Sequence, residues 1–231
     1  MVKHIWIITG GRVDTAWLRS IWPFCFQKDE ENVVIAADKG LLYAKEAGIP
    51  VNKILGDFDS LPQGILEPYE TQKGKKNQPD IEIRTYPPEK DYTDTHLALL
   101  WAIEEKADKV TIFGGLGSRF DHSFANIGLL SLLLSHGIQG EIVDEHNRIF
   151  MMDQEHTGNC RIIKRNDRKE YISLIPYTEE VTGVTLSGFK YPLTDETLTI
   201  GISRGISNEL LEEEGEIKIS QGILMVIHAI D

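Results

Sequence analysis

The sequence predicts an α/β domain, a mainly parallel sheet flanked by helices, followed by an all-β sandwich. Three observations carry this. Short apolar runs alternate with helical patterns over the first 145 residues. From about residue 146 only short strand-like runs recur. Gly, Pro, Asn and Asp punctuate those later runs at intervals of roughly 8–15 residues, the habit of a sandwich.

Ile5–Ile8 and Val33–Ala37 are brief, continuously apolar runs and read as buried strands. Lys39–Ala47 reads as a short helix that Gly48 stops. Ile54-Leu55 closes a third strand immediately before Gly56, and Glu82–Tyr86 alternates as a fourth. Thr93–Lys106 carries Leu97, Ala98, Leu100 and Trp101 at three-to-four spacing, the stripe of an amphipathic helix. Val110–Phe113 is another apolar strand, followed by glycines. Asp121–Ser135 is apolar nearly all round, with Leu129, Leu130, Leu132, Leu133 and Leu134, so deep burial is expected before Gly137 ends it. Glu141–Val143 is the sixth strand. Strands alternating with helices in this way describe a Rossmann-like sheet.

The later runs are Arg161–Ile163, Tyr171–Ile175, Val184–Leu186, Leu198–Ile200, Ile217–Ile219 and Ile223–Ile227. A boundary near Glu145-His146-Asn147 gives two domains, 1–145 and 146–231. No repeat or low-complexity tract interrupts either. Asn77-Gln78-Pro79-Asp80 and Glu212-Glu213-Glu214-Gly215 read as solvated loops.

Composition narrows the function. The 231 residues carry a net charge of −12, and the basic face of a nucleic-acid binder is missing. Lys73-Gly74-Lys75-Lys76 is a local exception that reads as a solvated loop. Cys25 and Cys160 lie far apart, form no zinc or disulfide pattern, read as buried small hydrophobes and suit a reducing compartment. The apolar part of the N-terminus is too short for a signal peptide, and no run approaches the roughly 20 residues that cross a bilayer. A soluble, cytoplasmic protein with no membrane or nucleic-acid partner is expected.

Asp57 and Asp59, in Gly56-Asp57-Phe58-Asp59-Ser60, stand two apart at a strand end. In extended chain both would face one side, where each raises the other's pKa unless a cation intervenes. Magnesium, which takes a few carboxylates plus substrate phosphates, suits such a place. An Asx-turn with two solvated carboxylates accounts for the motif equally. Lys90-Asp91-Tyr92-Thr93-Asp94 precedes the amphipathic helix. Asp91 or Thr93 would cap it and the macrodipole favours Asp94, yet a lysine and two carboxylates there also make a metal–phosphate site.

Gly114-Gly115-Leu116-Gly117-Ser118-Arg119-Phe120-Asp121-His122 follows a strand and opens a helix. Its glycines, Gly117 among them, allow backbone to approach a phosphate, and Arg119 offers a fixed cation. It lacks the endings of a P-loop and of the dinucleotide fingerprint. Asp121 would cap the helix or hold Arg119. His122 reads equally as general base and as structural histidine. Asp38 ends another strand, as N-cap or site residue. A parallel sheet brings all these ends to one edge.

Taken together, Asp38, the Gly56–Ser60 and Lys90–Asp94 motifs, Arg119-Phe120-Asp121-His122 with Ala125-Asn126, Gly188-Phe189-Lys190-Tyr191-Pro192-Leu193 and Gly205-Ile206-Ser207-Asn208-Glu209 resemble the thiamine pyrophosphokinase family in its bacterial form. The resemblance runs in order over nearly the whole chain. It implies an α/β catalytic domain, a thiamine-binding β-sandwich and a homodimer with active sites at the subunit interface. It implies Asp57, Asp59 and Asp94 as ligands of Mg2+. Asp38, Ser60, Lys90, Asp91, Gly117, Arg119, Asp121 and His122 fall on the side of the co-substrate ATP. Ser207 and Asn208 fall on the thiamine side, with Tyr191 a candidate for packing on the aminopyrimidine. Lys39 and Ser118 replace glycines usual in the family. The implied reaction is attack of the thiamine hydroxyl on the β-phosphorus of ATP with release of AMP, Asp91 or Asp121 accepting the proton. A diphosphotransferase acting on another heterocyclic alcohol such as a pterin, or a non-catalytic nucleotide- or thiamine-binding regulator, are the alternatives.

Overall fold

A computed structural model describes residues 1–26, 29–59, 61–71, 81–164 and 168–230. The basic run at 73–76, the polar loop at 77–80 and Ser60 lie outside the described residues. The chain divides into two compact units, Met1–Glu145 and His146–Asp231.

In the first unit six strands, β1 (Val2–Ile8), β2 (Glu30–Ala37), β3 (Lys53–Gly56), β4 (Glu82–Thr85), β5 (Lys109–Phe113) and β6 (Gln139–Val143), lie in the order β4-β3-β2-β1-β5-β6. Every neighbouring pair is parallel. Parallel strands are covered on both faces, which explains why Ile5, Ile7 and Ile8 are all fully buried. The helices are α1 (Thr15–Ile21), α2 (Gly40–Ala47), the single turn α3 (Glu67–Glu70), α4 (Asp94–Glu104) and α5 (Phe120–Ser135).

α1 is not apparent in the hydrophobic pattern of the sequence. Asp14 caps it, accepting from the Ala16 and Trp17 amides, and it buries Leu18. Leu18, Trp22, Trp6, Leu41 and Phe113 share one core, in which Trp6 stacks on Phe113 with ring centres 6.1 Å apart. Two helix faces differ from expectation. On α4 the buried positions are Thr95, Ala98, Leu99, Trp101 and Ala102, while Leu100 is exposed, so the stripe is turned by one residue. On α5 only one side is buried, through Ser123, Asn126, Leu130, Leu133 and Leu134; Phe120 and Phe124 are 76% and 63% exposed. Apolar composition fixes what can be buried, whereas the single sheet face that α5 covers fixes what is.

The second unit contains β7 (Asn147–Met152), β8 (Asn159–Ile163), β9 (Glu170–Pro176), β10 (Glu180–Ser187), β11 (Leu193–Thr199), β12 (Glu214–Lys218) and β13 (Leu224–Ile230). They pair antiparallel, in the orders β7-β13-β9 and β11-β10-β12-β8. Alternate residues turn inward, as in the intermediate–buried alternation of β9. Inward side chains from both sets, including Ile172, Val184, Ile217 and Val226, form one hydrophobic cluster. β7 is likewise not apparent in the sequence, because its apolar half begins only at Ile149. Cys25 and Cys160 are half-buried rather than fully buried, and burial pushes both thiols up, Cys25 to about 11.

Candidate active site

The order of the parallel strands reverses between β1 and β5, and the loops that follow these strands stand at this switch point, the place where open α/β sheets bind ligands. These loops are joined by backbone hydrogen bonds: the Gly11 amide donates to Gly114 O at 3.0 Å and that of Arg12 to Leu116 O at 2.8 Å. A Cβ on Gly11 would lie 2.1 Å from Gly114 O, so the approach requires glycine. This β1 loop is not among the site segments expected from the sequence, although Thr9-Gly10-Gly11 directly after an apolar strand is a signal for it. A Cβ on Gly10 would stand 3.7 Å from Asp38 Oδ2, which puts the Asp38 carboxylate beside the same loop. Asp38 itself is left-handed, with φ 49°.

The acidic motif does not continue β3 in extended form. Phe58 is left-handed at φ 63°, and the Asp59 amide donates to Asp57 Oδ1 at 3.2 Å. An Asx-turn therefore replaces the shared strand face expected from two-residue spacing, because the left-handed residue between the aspartates cancels the alternation. The turn is nevertheless not simply solvated. Asp59 is exposed, but Asp57 is half-buried.

Lys90 connects this turn to α4. Its Nζ lies 3.3 Å from Asp57 Oδ2 and 2.8 Å from Asp94 Oδ1. Burial alone would raise the Asp57 carboxyl; the Asp59 amide and the Lys90 ammonium outweigh it and leave the pKa lowered. Burial opposes the charge on Lys90 too, and the two aspartates overcome it, so its pKa is raised. Thr93 is the N-cap of α4, its Oγ1 accepting from the His96 amide at 3.2 Å. In the same turn Thr95 Oγ1 sits 2.9 Å from Thr9 Oγ1, tying the start of α4 to the end of β1. Asp91 is exposed.

The glycine-rich segment is held from α5. The buried Asn126 donates to Gly115 O at 2.7 Å. The Gly117 amide donates to Ser123 Oγ at 3.0 Å, so in this conformation it is already engaged. Asp121 does not cap α5, whose N-cap is Arg119 without a side-chain bond; it pairs with Arg119, Nη2 to Oδ2 at 2.6 Å. Both are mostly exposed, so the pair orients the guanidinium more than it stabilises the fold. His122 is exposed on the first turn of the helix.

The structure thus brings together Asp57, Lys90 and Asp94, with Asp59 joined to Asp57 through its amide, and separately Arg119 with Asp121. Among the described residues no three carboxylate, histidine or cysteine side chains form a ready cation cage. The Asp57–Asp94 pair does already share one cation, the Lys90 ammonium. Such a donor set fits Mg2+, which binds through one or two carboxylates and completes its shell with water and phosphate.

In the second unit a cavity of about 380 Å³ is lined by Leu186, Tyr191, Pro192, Arg204, Ile206 and Asn208 among others. Asn208 is buried and acts as a clamp: Oδ1 accepts from the Tyr191 amide at 3.0 Å and the Glu209 amide at 2.9 Å, and Nδ2 donates to Tyr191 O at 2.8 Å. Ser207 is exposed and left-handed at φ 57°, its amide held by Ser173 Oγ at 3.0 Å. Arg204 reaches Glu196 at 2.8 Å. Among the described residues no helix is long and apolar enough to cross a membrane.

Residues 27–141 match the family model of the thiamin pyrophosphokinase catalytic domain, and residues 159–224 that of the thiamin pyrophosphokinase vitamin B1 binding domain. A thiamine pyrophosphokinase of Bacillus subtilis is 37% identical over 203 residues, which cover 88% of this chain and 90% of that protein. The crystal structure of thiamine pyrophosphokinase from Bacillus subtilis superposes with a TM-score of 0.83 at 34% identity, covering 99% of both chains. That of thiamin pyrophosphokinase from Geobacillus thermodenitrificans gives 0.78 at 33% identity, over 100% of this chain and 98% of the other.

Proposed function

The chain belongs to the thiamin pyrophosphokinase family, and on that premise we propose how its own residues carry the family's reaction. It is a thiamine diphosphokinase and makes thiamine diphosphate. In our reading the donor is ATP. The thiamine hydroxyl oxygen forms a bond to the β-phosphorus, the bond from that phosphorus to the α-phosphate oxygen breaks, and AMP leaves.

Asp57, Asp59 and Asp94 would hold magnesium, which when bound would supply positive charge against the phosphates. The support for this is the Asp57–Lys90–Asp94 cluster, two carboxylates from different strand-to-helix connections arranged about one positive charge. The first unit acts as a Rossmann-like nucleotide domain, receiving the phosphates beyond the carboxyl ends of its strands, beside the joined β1 loop and glycine-rich segment. Lys90 and Arg119 face phosphate oxygens, with Asp38, Gly117 and His122 around the nucleotide; Ser60 shares that assignment. Asp91 or Asp121 accepts the hydroxyl proton. Alignment and charge neutralisation supply the rate, as in other phosphoryl transfers. The cavity lined by Tyr191 and Asn208 takes the thiamine rings, and Ser207, next to Asn208 in the chain, shares that assignment. The reading extends to a cytoplasmic homodimer with active sites at the subunit interface, which sedimentation equilibrium tests.

The direct assay is AMP release with thiamine, ATP and Mg2+. Asp57→Ala and Asp94→Ala are expected to lower turnover by orders of magnitude, on the order of 10²-fold or more for removal of a charge-stabilising group. Near-normal turnover in both variants would sink the metal assignment.

A further inference from the structure

The Lys90 side chain is 12% exposed and lies between Asp57 and Asp94, which are 15% and 24% exposed. It stands just before α4, Asp94 lies four residues later on the first helical turn, and Asp57 comes from the end of β3. The ammonium therefore bridges two carboxylates that approach from different parts of the chain and would otherwise repel each other. A second cation cannot use the same oxygens without moving the first.

We infer that Lys90 is a resident counter-ion: its ammonium and a divalent cation compete for Asp57 and Asp94, and the ammonium moves to phosphate oxygens when metal and nucleotide bind together. This rests on the reading of Asp57 and Asp94 as metal ligands. Lysine is suited to the exchange. Its charge is compact and sits on a flexible four-carbon stem, so it changes partner by rotation about side-chain bonds, whereas the planar fork of arginine is committed to one geometry. The exchange also couples two ligands. Metal alone strips the ammonium of its partners, while metal with phosphates supplies new ones. The metal-free pair keeps the β3 turn and the start of α4 in register, and metal affinity is low until the nucleotide arrives.

The test is a calorimetric titration of the full chain with Mn2+ and no nucleotide. Lys90→Met and Lys90→Gln are expected to bind Mn2+ about tenfold more tightly than wild type, one tenfold step being the effect of roughly 1.4 kcal/mol. Lys90→Arg, which keeps the charge, is expected to bind no more tightly than wild type. The extra affinity must vanish when Asp57→Asn is added to Lys90→Met. Unchanged or weaker Mn2+ binding in the uncharged variants overturns the proposal while leaving the metal reading intact. If instead Asp57→Asn and Asp94→Asn leave wild-type Mn2+ binding untouched, the metal reading itself falls. Should the uncharged variants fail to fold, the ¹⁵Nζ resonance of Lys90 in wild type decides: it must shift on adding Mg2+ with a non-hydrolysable ATP analogue. A resonance unmoved at saturation overturns the exchange.

Discussion

Thr9 Oγ1, at the end of β1, lies 2.9 Å from Thr95 Oγ1 in the first turn of α4, and both residues are buried. One hydroxyl donates to the other, so this contact sets where α4 begins relative to the central strand, and Asp94 is its neighbour. Thr95→Val keeps the shape and leaves Thr9 Oγ1 buried without its partner. The expected cost is about 1–3 kcal/mol, read by denaturant unfolding. Thr9→Val/Thr95→Val, lacking both hydroxyls, is expected to cost less than the sum of the single changes. Turnover should fall further in Thr95→Val than in the double variant if the displaced turn carries Asp94 with it. Additive losses would mean that the two hydroxyls act independently.

Glycines of the two site loops separate packing from function. Gly11→Ala places a Cβ 2.1 Å from Gly114 O and 2.6 Å from Leu116 O. Both obstacles are backbone, so the loop pairing must open, and we expect loss of several kcal/mol or failure to fold. Gly117→Ala meets nothing nearer than 3.5 Å and sits at the surface. Its stability should stay within about 0.5 kcal/mol of wild type. Thermal melts of the two variants make the comparison. A strongly destabilised Gly117→Ala would contradict the open surroundings of that loop.

Much of the α/β unit is legible in the sequence because its signals are local. Ile5–Ile8 is an apolar run, and Gly48 is a left-handed stop, at φ 75°, after Ala47. What escapes is set from outside the segment concerned. Nothing in Gly56-Asp57-Phe58-Asp59 says that Phe58 is left-handed, since no phenylalanine prefers that region and the surrounding fold must impose it. The ion pair from Lys90 to Asp57 joins residues 33 positions apart. Spacing makes Asp57 and Asp59 look like partners on one face, whereas folding gives Asp57 to Lys90. The same applies in the second unit, where the resemblance points to Asn208 but not to its bonds with Tyr191.

Acid stability should report a second ionic centre, at the other end of α4. Glu105 receives Lys3 Nζ at 2.7 Å and Lys53 Nζ at 2.8 Å, and these two ammonium groups hold its carboxyl down to about 2. Its folded pKa lies below the ordinary glutamate value of about 4.3. The stabilisation is therefore complete above that value and disappears as pH falls toward 2. With the site partly solvated, Glu105→Gln is expected to cost about 1 kcal/mol at pH 7. The gap between wild type and variant should close across the window from about 4.3 down to about 2. Urea unfolding at a series of pH values measures it, and a gap that persists at pH values near 2 would refute the ion-pair origin.

Asn208 offers a way to tell a ligand contact from a clamp. Its amide is spent on the backbone of Tyr191 and Glu209, through bonds of 3.0, 2.8 and 2.9 Å. Asn208→Ala removes all three and leaves the partly buried backbone groups of Tyr191 and Glu209 short of partners, at roughly 1–3 kcal/mol on the usual scale for unmet hydrogen bonds. The loop carrying Tyr191 and Pro192 then loses its fixed position, so the cavity beside it changes shape. The KM for thiamine should rise together with the loss of stability. Ser207→Gly gives the contrast: the residue is exposed and left-handed, a conformation that glycine adopts freely, so the fold should be unharmed. A rise in KM confined to Ser207→Gly would assign the hydroxyl a direct contact. If Asn208→Ala raises KM while its unfolding midpoint stays at the wild-type value, Asn208 meets the substrate itself and the clamp is refuted.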